Sequence, residues 1–422
     1  MLPSKFFMLR ILSLLISPIV RIYVKKRINV GLEDRDRYVE RFGKPSKARP
    51  HGKIFWIHAV SVGESISAIP IVRMLKKECP ELNILFTTTT KTSAQIVQTR
   101  LDNEVIHQYM PFDIYCWAKR FVDYWKPEKV FFIESEIWPN ILSILRKKHI
   151  EVNLLNVRIS SKSLKRMCFI NKIFGIKPFS LFDNIYAPSK DVRDHVIKLG
   201  GKNVSVLPNM KTLASKLEHN AKTVELIKSK IKNLRVWMAV STHKGEEEII
   251  IETHKKLEDE FNDILTIIAI RHPSRVEELE KLCIQNNIKY ELHSNISNIY
   301  NIESGILIVD QIGKLGDYFE VAKVVHVCGS LIPGIGGHNI LEPIKSGCTV
   351  ATGKYIENFI DIYAYVQDVC VIATTSDEIY RFVKCSFIKP TQRNKEIDFE
   401  NIWSETVKSW CPRRDSNPRP QD

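Results

Sequence analysis

Twelve short β-branched or apolar runs, alternating with helix-like stretches, constrain this chain more than any other feature. They fall in two series. The first is Lys53–Ala59, Ile84–Thr90, Lys129–Ile133, Val152–Asn156, Asn184–Ala187 and Val204–Leu207. The second is Val236–Val240, Leu265–Ile270, Gly305–Val309, Val324–Val327, Cys348–Ala351 and Val369–Ala373. Ala68–Glu78 and Lys244–Asp259 are two of the helical stretches between them. A parallel neighbour is reached only through a crossover, so strands alternating with helices predict parallel sheets. The expected fold class is therefore α/β, with two doubly wound domains. Expected boundaries are a membrane-anchoring segment and its basic flank over 1–30, a first domain over 31–210, and a charged, partly helical linker over 211–234. A second domain follows over 235–400, and then an irregular tail over 401–422. A length of 422 residues fits two or three domains at roughly 150 residues each.

Charge and cysteine usage exclude several classes. The net charge is +14, and residues 1–50 carry +8 of it, with twelve Lys/Arg against Glu33, Asp34, Asp36 and Glu40. Charge gathered beside the N-terminus points to an anionic membrane surface. Nucleic acid is not expected as a partner, because no basic stripe interleaved with aromatics and no zinc-finger pattern occurs. Nine scattered cysteines without a Cys-x-x-Cys pair predict a reduced compartment, with Cys328 and Cys348 as small core residues.

Phe6–Val20 is the membrane candidate. It is short of the roughly 20 residues a straight span needs, and it holds Arg10 and Pro18. Arg21 and Lys25-Lys26-Arg27 follow in place of a small-residue cleavage site. The expectation is an N-terminal anchor or in-plane insertion, with the body on the cytoplasmic side of the membrane. A surface helix or a signal peptide are the other readings.

Ligands of open α/β sheets bind beyond the carboxyl ends of the strands, and the unusual polar residues of this chain fall there. Ser61-Val62-Gly63-Glu64 follows the first strand; Glu64 is either compensation for a helix dipole or a base for an attacking hydroxyl. Glu134 and Glu136 follow the third, two apart; either two close carboxylates repel and raise the pKa of one, or the pair closes a sheet end by bonding to backbone or to Arg158. Arg158 follows the fourth. In the second series, Ser241-Thr242 precedes Lys244-Gly245-Glu246-Glu247 and resembles a helix cap with acids in the first turn. Arg271-His272-Pro273 closes the next strand. Gly329-Ser330-Leu331-Ile332-Pro333-Gly334-Ile335-Gly336-Gly337-His338-Asn339-Ile340-Leu341-Glu342 leads from a strand through four glycines into a short helix over Asn339–Ser346. Glycines and helix N–H groups suit an anion, and Glu342 suits the hydroxyls of the same ligand. These runs predict a site formed jointly by the two domains. No metal-ligand spacing occurs, so neither a metal nor a cofactor is expected.

As a set, these motifs resemble the Kdo (3-deoxy-D-manno-oct-2-ulosonic acid) transferases of lipopolysaccharide synthesis. Those that carry the resemblance are Val-Ser-Val-Gly-Glu64, Glu134-Ser-Glu-Ile-Trp-Pro-Asn, Asn156-Val-Arg-Ile-Ser, Ser241-Thr-His-Lys-Gly-Glu-Glu, Arg271-His-Pro-Ser-Arg and the glycine loop. The resemblance runs from the N-terminal anchor to about Asn358-Phe359. It implies a GT-B fold with a central cleft and metal-independent, inverting transfer of Kdo from CMP-Kdo to a lipid A precursor, lipid IVA. It also implies Glu64 as general base with Glu134 or Glu136 in support, and Ser61 and Arg158 on the acceptor side. The implied donor residues are Ser241, Thr242, Lys244, Arg271, His272, Gly336, Gly337, Asn339 and Glu342. A UDP-sugar enzyme or epimerase of the same fold, and an inactive membrane-bound scaffold, are the alternatives.

The chain departs from the family pattern in places. Leu207-Pro208-Asn209-Met210-Lys211-Thr212 stands where Gly-Asn-Leu-Lys-Phe-Asp is usual, and Thr352–Phe359 replaces Gly-Pro-x-x-x-Asn-Phe. Arg413-Arg414-Asp415-Ser416-Asn417-Pro418 reads as no part of a domain. An altered C-terminus and a disordered tail over Cys411–Asp422 are the expectation.

Overall fold

The computed structural model describes residues 4–134, 136–159, 164, 167, 177–213, 216–298, 302–389 and 399–411. The chain forms two compact units. One holds Met1–Ala214 together with Asp398–Asp422, and the other holds Ser215–Ile397.

The first unit is built on a seven-stranded sheet. Its strands are β1 Ile54–Ala59, β2 Asn83–Thr88, β3 Ile106–Tyr109, β4 Lys129–Ile133, β5 Glu151–Leu155, β6 Asn184–Ala187 and β7 Val204–Val206. Their order is β3-β2-β1-β4-β5-β6-β7, with every pairing parallel. The second unit carries β8 Arg235–Thr242, β9 Ile264–Ile270, β10 Tyr290–Leu292, β11 Gly305–Val309, β12 Val324–Val327, β13 Thr349–Thr352 and β14 Cys370–Ile372. These run β10-β11-β9-β8-β12-β13-β14, again all parallel. The central strands are buried on both faces: β1, β9 and β12 are buried along their length and mostly apolar, as a sheet covered by helices on both sides requires.

All twelve expected strands are present, within two residues at each end. The two that sequence reading missed, β3 and β10, each lie at the edge of a sheet. An edge strand pairs on one side only and needs no long apolar run. β3 reads Ile-His-Gln-Tyr, and its outer side is closed by side chains: the Glu40 carboxylate accepts the Tyr109 N–H at 2.6 Å and Gln108 Nε2 at 3.1 Å.

Glu40 belongs to a charged cluster that fastens the segment after the N-terminal helix. Arg37 donates to both of its oxygens, at 2.9 and 3.1 Å. Nearby, Glu33 and Arg41 are almost wholly buried and pair at 3.0 Å. Arg41 also donates to the backbone carbonyls of Met110 (3.1 Å) and Thr89, and Arg27 at the end of the helix reaches Glu33 at 2.9 Å. Burial pulls the Arg41 guanidinium below its usual range, with Glu33 opposing. The cluster thus joins helix Ser4–Asn29 to the β2 and β3 strand ends.

Helix Ser4–Asn29 packs on helices Tyr115–Trp125 and Pro139–Lys147. Ser13 and Val24 are buried there, and Arg10 stacks 4.5 Å over the Tyr115 ring. On the other face Leu12, Leu15, Ile19 and Ile22 are exposed. Among the described residues no helix is long and apolar enough to cross a membrane.

The stretch expected to be irregular from 401 begins as a helix, Phe399–Trp410. Phe399, Trp403, Val407 and Trp410 form a stripe at helical spacing, and all four are buried in the first unit. Trp403 Nε1 donates to the Pro208 carbonyl at 3.1 Å, and Trp410 packs on Phe131 and donates to the Tyr186 hydroxyl at 3.0 Å. The expectation of an irregular tail gave way to this stripe; residues 412–422 lie outside the described residues. Cys79 and Cys411 are joined as a disulfide, a pairing that their scatter in the sequence did not announce, whereas Cys328 and Cys348 are buried and unlinked.

Removing one partner of a buried ion pair leaves the other charge unpaired and costs about 3–5 kcal/mol. Arg41→Met is therefore expected to lower the apparent melting temperature of the protein by several degrees. Lys289→Met, which breaks the exposed Lys289–Glu303 pair, is expected to leave it unchanged in the same thermal melt.

Candidate functional site

The adjacent strands β1, β4 and β5 bring their carboxyl ends side by side, and three acids gather there. Ser61 caps helix Val62–Glu78 by accepting the Glu64 N–H at 3.3 Å. The Glu64 side chain returns across the same turn, its two oxygens taking Val60 N–H and Ser61 Oγ, each at 2.8 Å. Both the capping reading and a functional one are served by this arrangement. The carboxylate is fixed in orientation, and each oxygen keeps a further lone pair.

Glu134 leaves β4 with a φ of 63°, a left-handed backbone uncommon for a non-glycine residue, while its N–H still bonds to the Leu155 carbonyl at 2.8 Å. That turn directs the chain from the sheet into the Glu136–Trp138 segment. Arg158, beyond β5, lies 3.6 Å from the Glu134 carboxylate, so the ion pair weighed from the sequence is present. Ser135 and Ser160 of these motifs are outside the described residues.

The three acids feel one another. Burial pushes the Glu134 carboxyl up, with Glu64 adding to the effect and Arg158 and Lys211 opposing it. Glu136 is pushed up to about 7, first by burial and then by the charges of Glu64 and Glu134. A carboxyl that changes charge near neutrality beside a fixed carboxylate suits proton handling.

In the second unit the central strand β8 lies between β9 and β12, and the polar motifs after these three strands meet. β8 is irregular at Ser241, where φ is 60° and the register with β9 shifts. The Ser241-Thr242 pair is thus part of the strand and not the helix cap that the sequence suggested. The following helix, Glu247–Glu258, has Glu246 at its cap position. Thr242 is buried, and its carbonyl accepts the Arg271 N–H at 3.1 Å.

Glu246, which the sequence presents as an acid of a first helical turn, anchors the glycine loop. It is fully buried, and its carboxylate accepts four backbone N–H groups: His243 at 2.9 Å, Gly329 at 2.8 Å, Ser330 at 3.0 Å and Leu331 at 2.9 Å. Burial raises its carboxyl and the four donors pull it back. Glu247 is likewise no mere dipole compensator; it is buried and accepts Arg275 at 2.9 and 3.3 Å in a two-pronged pair.

The glycine loop is closed on itself by Gly337 N–H to the Gly329 carbonyl at 2.8 Å. Gly329, Gly334, Gly336 and Gly337 all have φ between 73° and 97°. Only glycine takes that conformation without strain. At Gly329 a Cβ would also stand 2.4 Å from the His338 ring. The helix that follows is shorter than expected, Leu341–Lys345. Asn339 accepts the Leu341 N–H at 3.2 Å and donates to Glu342 at 3.1 Å. Burial raises the Glu342 carboxyl, with Asn339 and the positive charge of Arg271 opposing.

Three histidines expected in separate motifs meet here. His243 Nε2 lies 2.8 Å from His338 Nε2, with the two rings nearly parallel at 8°, and His272 meets His243 edge-on at 5.7 Å. Lys244, Arg271 and His272 are exposed beside them. Among the described residues no group of three or more His, Cys, Asp or Glu is placed to hold a metal ion. The arrangement offers cations, N–H groups and two neutral imidazoles to an anionic ligand.

The elevated carboxyl of Glu136 predicts a pH effect on stability. Its folded-state pKa, about 7, lies above the ordinary carboxylate value, so the folded protein holds the proton over a range where the unfolded chain has lost it. Stability from this group is therefore present at low pH and falls as pH rises from about 4.5 to 7. Glu136→Gln is expected to flatten that part of the stability profile in thermal melts taken across the window.

The 3-Deoxy-D-manno-octulosonic-acid transferase (kdotransferase) family model matches residues 36–214. A 3-deoxy-D-manno-octulosonic acid transferase of Rickettsia bellii is 34% identical over 344 residues, covering 80% of each chain. That of Haemophilus influenzae is 30% identical over 365 residues, covering 83% of each. A probable mitochondrial one of Arabidopsis thaliana is 32% identical over 379 residues, covering 87% of this chain and 83% of that protein. Among solved structures, a UDP-GlcNAc 2-epimerase of Neisseria meningitidis superposes with a TM-score of 0.56 at 12% identity, covering 85% of this chain and 99% of that one. A glycosyltransferase of Rickettsia africae gives 0.53 at 12%, covering 85% and 93%. These two show the GT-B-like fold alone. The identities to the curated transferases, over most of both chains, carry the assignment: this protein belongs to the family of 3-deoxy-D-manno-octulosonic acid transferases and is a glycosyltransferase.

Proposed function

We propose that the enzyme moves Kdo from CMP-Kdo to a hydroxyl of a lipid A precursor, lipid IVA, in one displacement that inverts the anomeric carbon. The observation that carries this reading is the gathering of Glu64, Glu134 and Glu136 at adjacent strand ends in a chain of this family. The acceptor oxygen attacks the anomeric carbon and gives its proton to Glu64. The bond from that carbon to the phosphate oxygen breaks, and its electron pair leaves with CMP. Val60 N–H and Ser61 Oγ hold Glu64 in one orientation for this step. Glu136, protonated up to about pH 7, keeps a further full charge away from the base, and Arg158 partly neutralises Glu134.

The donor falls to the second unit in this reading. Lys244 and Arg271 supply positive charge for a departing phosphate, and Ser241, Thr242, His272, Gly336 and Gly337 shape the surrounding backbone and polar surface. Asn339 and Glu342, already hydrogen-bonded to each other, present polar groups to the nucleoside. These groups offset the leaving group's charge, so the step needs neither a metal nor a cofactor.

We further propose that the protein works at the cytoplasmic face of the inner membrane, with helix Ser4–Asn29 lying in the surface plane. Burial of Ser13 and Val24 against the first unit supports a helix held along the protein. The exposed apolar face, with Leu15 at 70% and Ile19 at 66% exposure, suits the acyl boundary, and Lys25 and Lys26 suit anionic headgroups.

Loss of a general base typically lowers rate by 10²–10⁴-fold. Glu64→Ala is expected to remove transfer of labelled Kdo from CMP-Kdo to lipid IVA by at least that factor while CMP still binds; full activity of the variant would remove Glu64 from the role. Burying a Leu or Ile side chain contributes about 1.5–3 kcal/mol. The double variant Leu15→Ser, Ile19→Ser is expected to bind anionic vesicles about a hundredfold more weakly in flotation assays, with kinetics on detergent-dispersed acceptor unchanged.

A further inference from the structure

The pairing of His243 with His338 asks for an account of its own. The two Nε2 atoms are 2.8 Å apart, so one must donate a proton and the other accept it. That bond fixes the tautomers: one ring carries its hydrogen on Nε2, the other on Nδ1, and the pair as a whole has one free lone pair. The protein has built the contact with care. Gly329 has no Cβ, and any there would overlap the His338 ring. One oxygen of Glu246 binds both the His243 N–H and the Gly329 N–H, so a single buried carboxylate sets the backbone on each side of the pair.

The electrical surroundings are mixed. The charged and titratable groups around the pair are Lys244, Glu246 and Glu247 from the turn after β8, and Arg271, His272 and Arg275 from the segment after β9. Burial holds both imidazoles below their ordinary range, His338 down to about 4; His243 then lowers His338, Arg271 and His272 lower both, and Glu247 opposes at His243. At neutral pH the unliganded pair is therefore uncharged. An anion placed beside Arg271 would offset a positive charge that opposes protonation, and would itself favour an imidazolium.

We propose that the His243–His338 pair is a proton-taking element of the donor site: binding of a nucleoside monophosphate there is coupled to uptake of one proton by the pair. The inference rests on the assignment of the donor to the second unit. In balance, the neutral pair, one solvent proton and the phosphate dianion become an imidazolium–imidazole pair with the dianion bound. No bond to phosphorus changes. The pair is a positioning element: it places a positive charge that exists only while the site is filled, where a leaving phosphate gains its second negative charge.

Titration calorimetry with CMP on the full-length protein tests this. Runs at pH 7.5, where the phosphate is already mostly dianionic, in two buffers of different ionisation enthalpy give the protons exchanged per CMP bound. The expected result is uptake of between about one half and one proton by the wild type. His338→Gln and His243→Gln are each expected to bind CMP up to tenfold more weakly, with uptake reduced to near zero. CMP binding to wild type without proton uptake, or uptake that persists in both variants, would overturn the proposal while leaving the donor assignment standing. Absence of CMP binding to the wild type would overturn the donor assignment and the proposal with it.

Discussion

The Glu246 carboxylate is the contact on which the second unit's chemistry hangs. A buried charge is costly unless its lone pairs are filled, and here four backbone N–H groups fill them. Three of those donors are consecutive residues of the glycine loop; without an acceptor they would be unpaired in a buried turn. The acid and the loop therefore satisfy each other, and neither is stable as found without the other. Because Glu246 also begins the helix after β8, the bond ties β8 to the loop after β12. The histidine contact and the position of Asn339 and Glu342 follow from that tie.

Sheet order does the same work in both units. β1 is flanked by β2 and β4, and β8 by β9 and β12. In each unit the chain leaves a central strand into a helix, and the neighbouring strands deliver their polar turns to the same rim. Glu64, Glu134 and Arg158 meet on one sheet for the reason that His243, His272 and His338 meet on the other. Two rims of unlike character result: acids with a raised proton affinity on the first, cations and suppressed imidazoles on the second.

The strands and strand-end motifs were legible because both depend on short-range pattern. Buried parallel strands read as apolar runs, and functional residues of such sheets sit just past them. What was not legible depended on pairing. β3 and β10 lack an apolar run because each is an edge. Glu246 looks like any acid in a first helical turn, and its four donors lie more than eighty residues away, apart from His243. The histidine contact requires knowing that β8 lies between β9 and β12. Helix Phe399–Trp410 was different, since its spacing of Phe399, Trp403, Val407 and Trp410 was present in the sequence. The prolines and arginines after it drew the reading toward disorder.

That last helix makes the first unit discontinuous, with its final piece encoded after the whole of the second. During synthesis, the slot that receives Trp403 and Trp410 stands open while the second unit is made. At roughly 5–20 residues per second this lasts on the order of ten seconds or more. Phe131, Tyr186 and the Pro208 carbonyl, their partners in the finished protein, face that interval uncovered. The unit begun before the other is thus completed only after it, and a hazard of aggregation lies in a part that has already been translated.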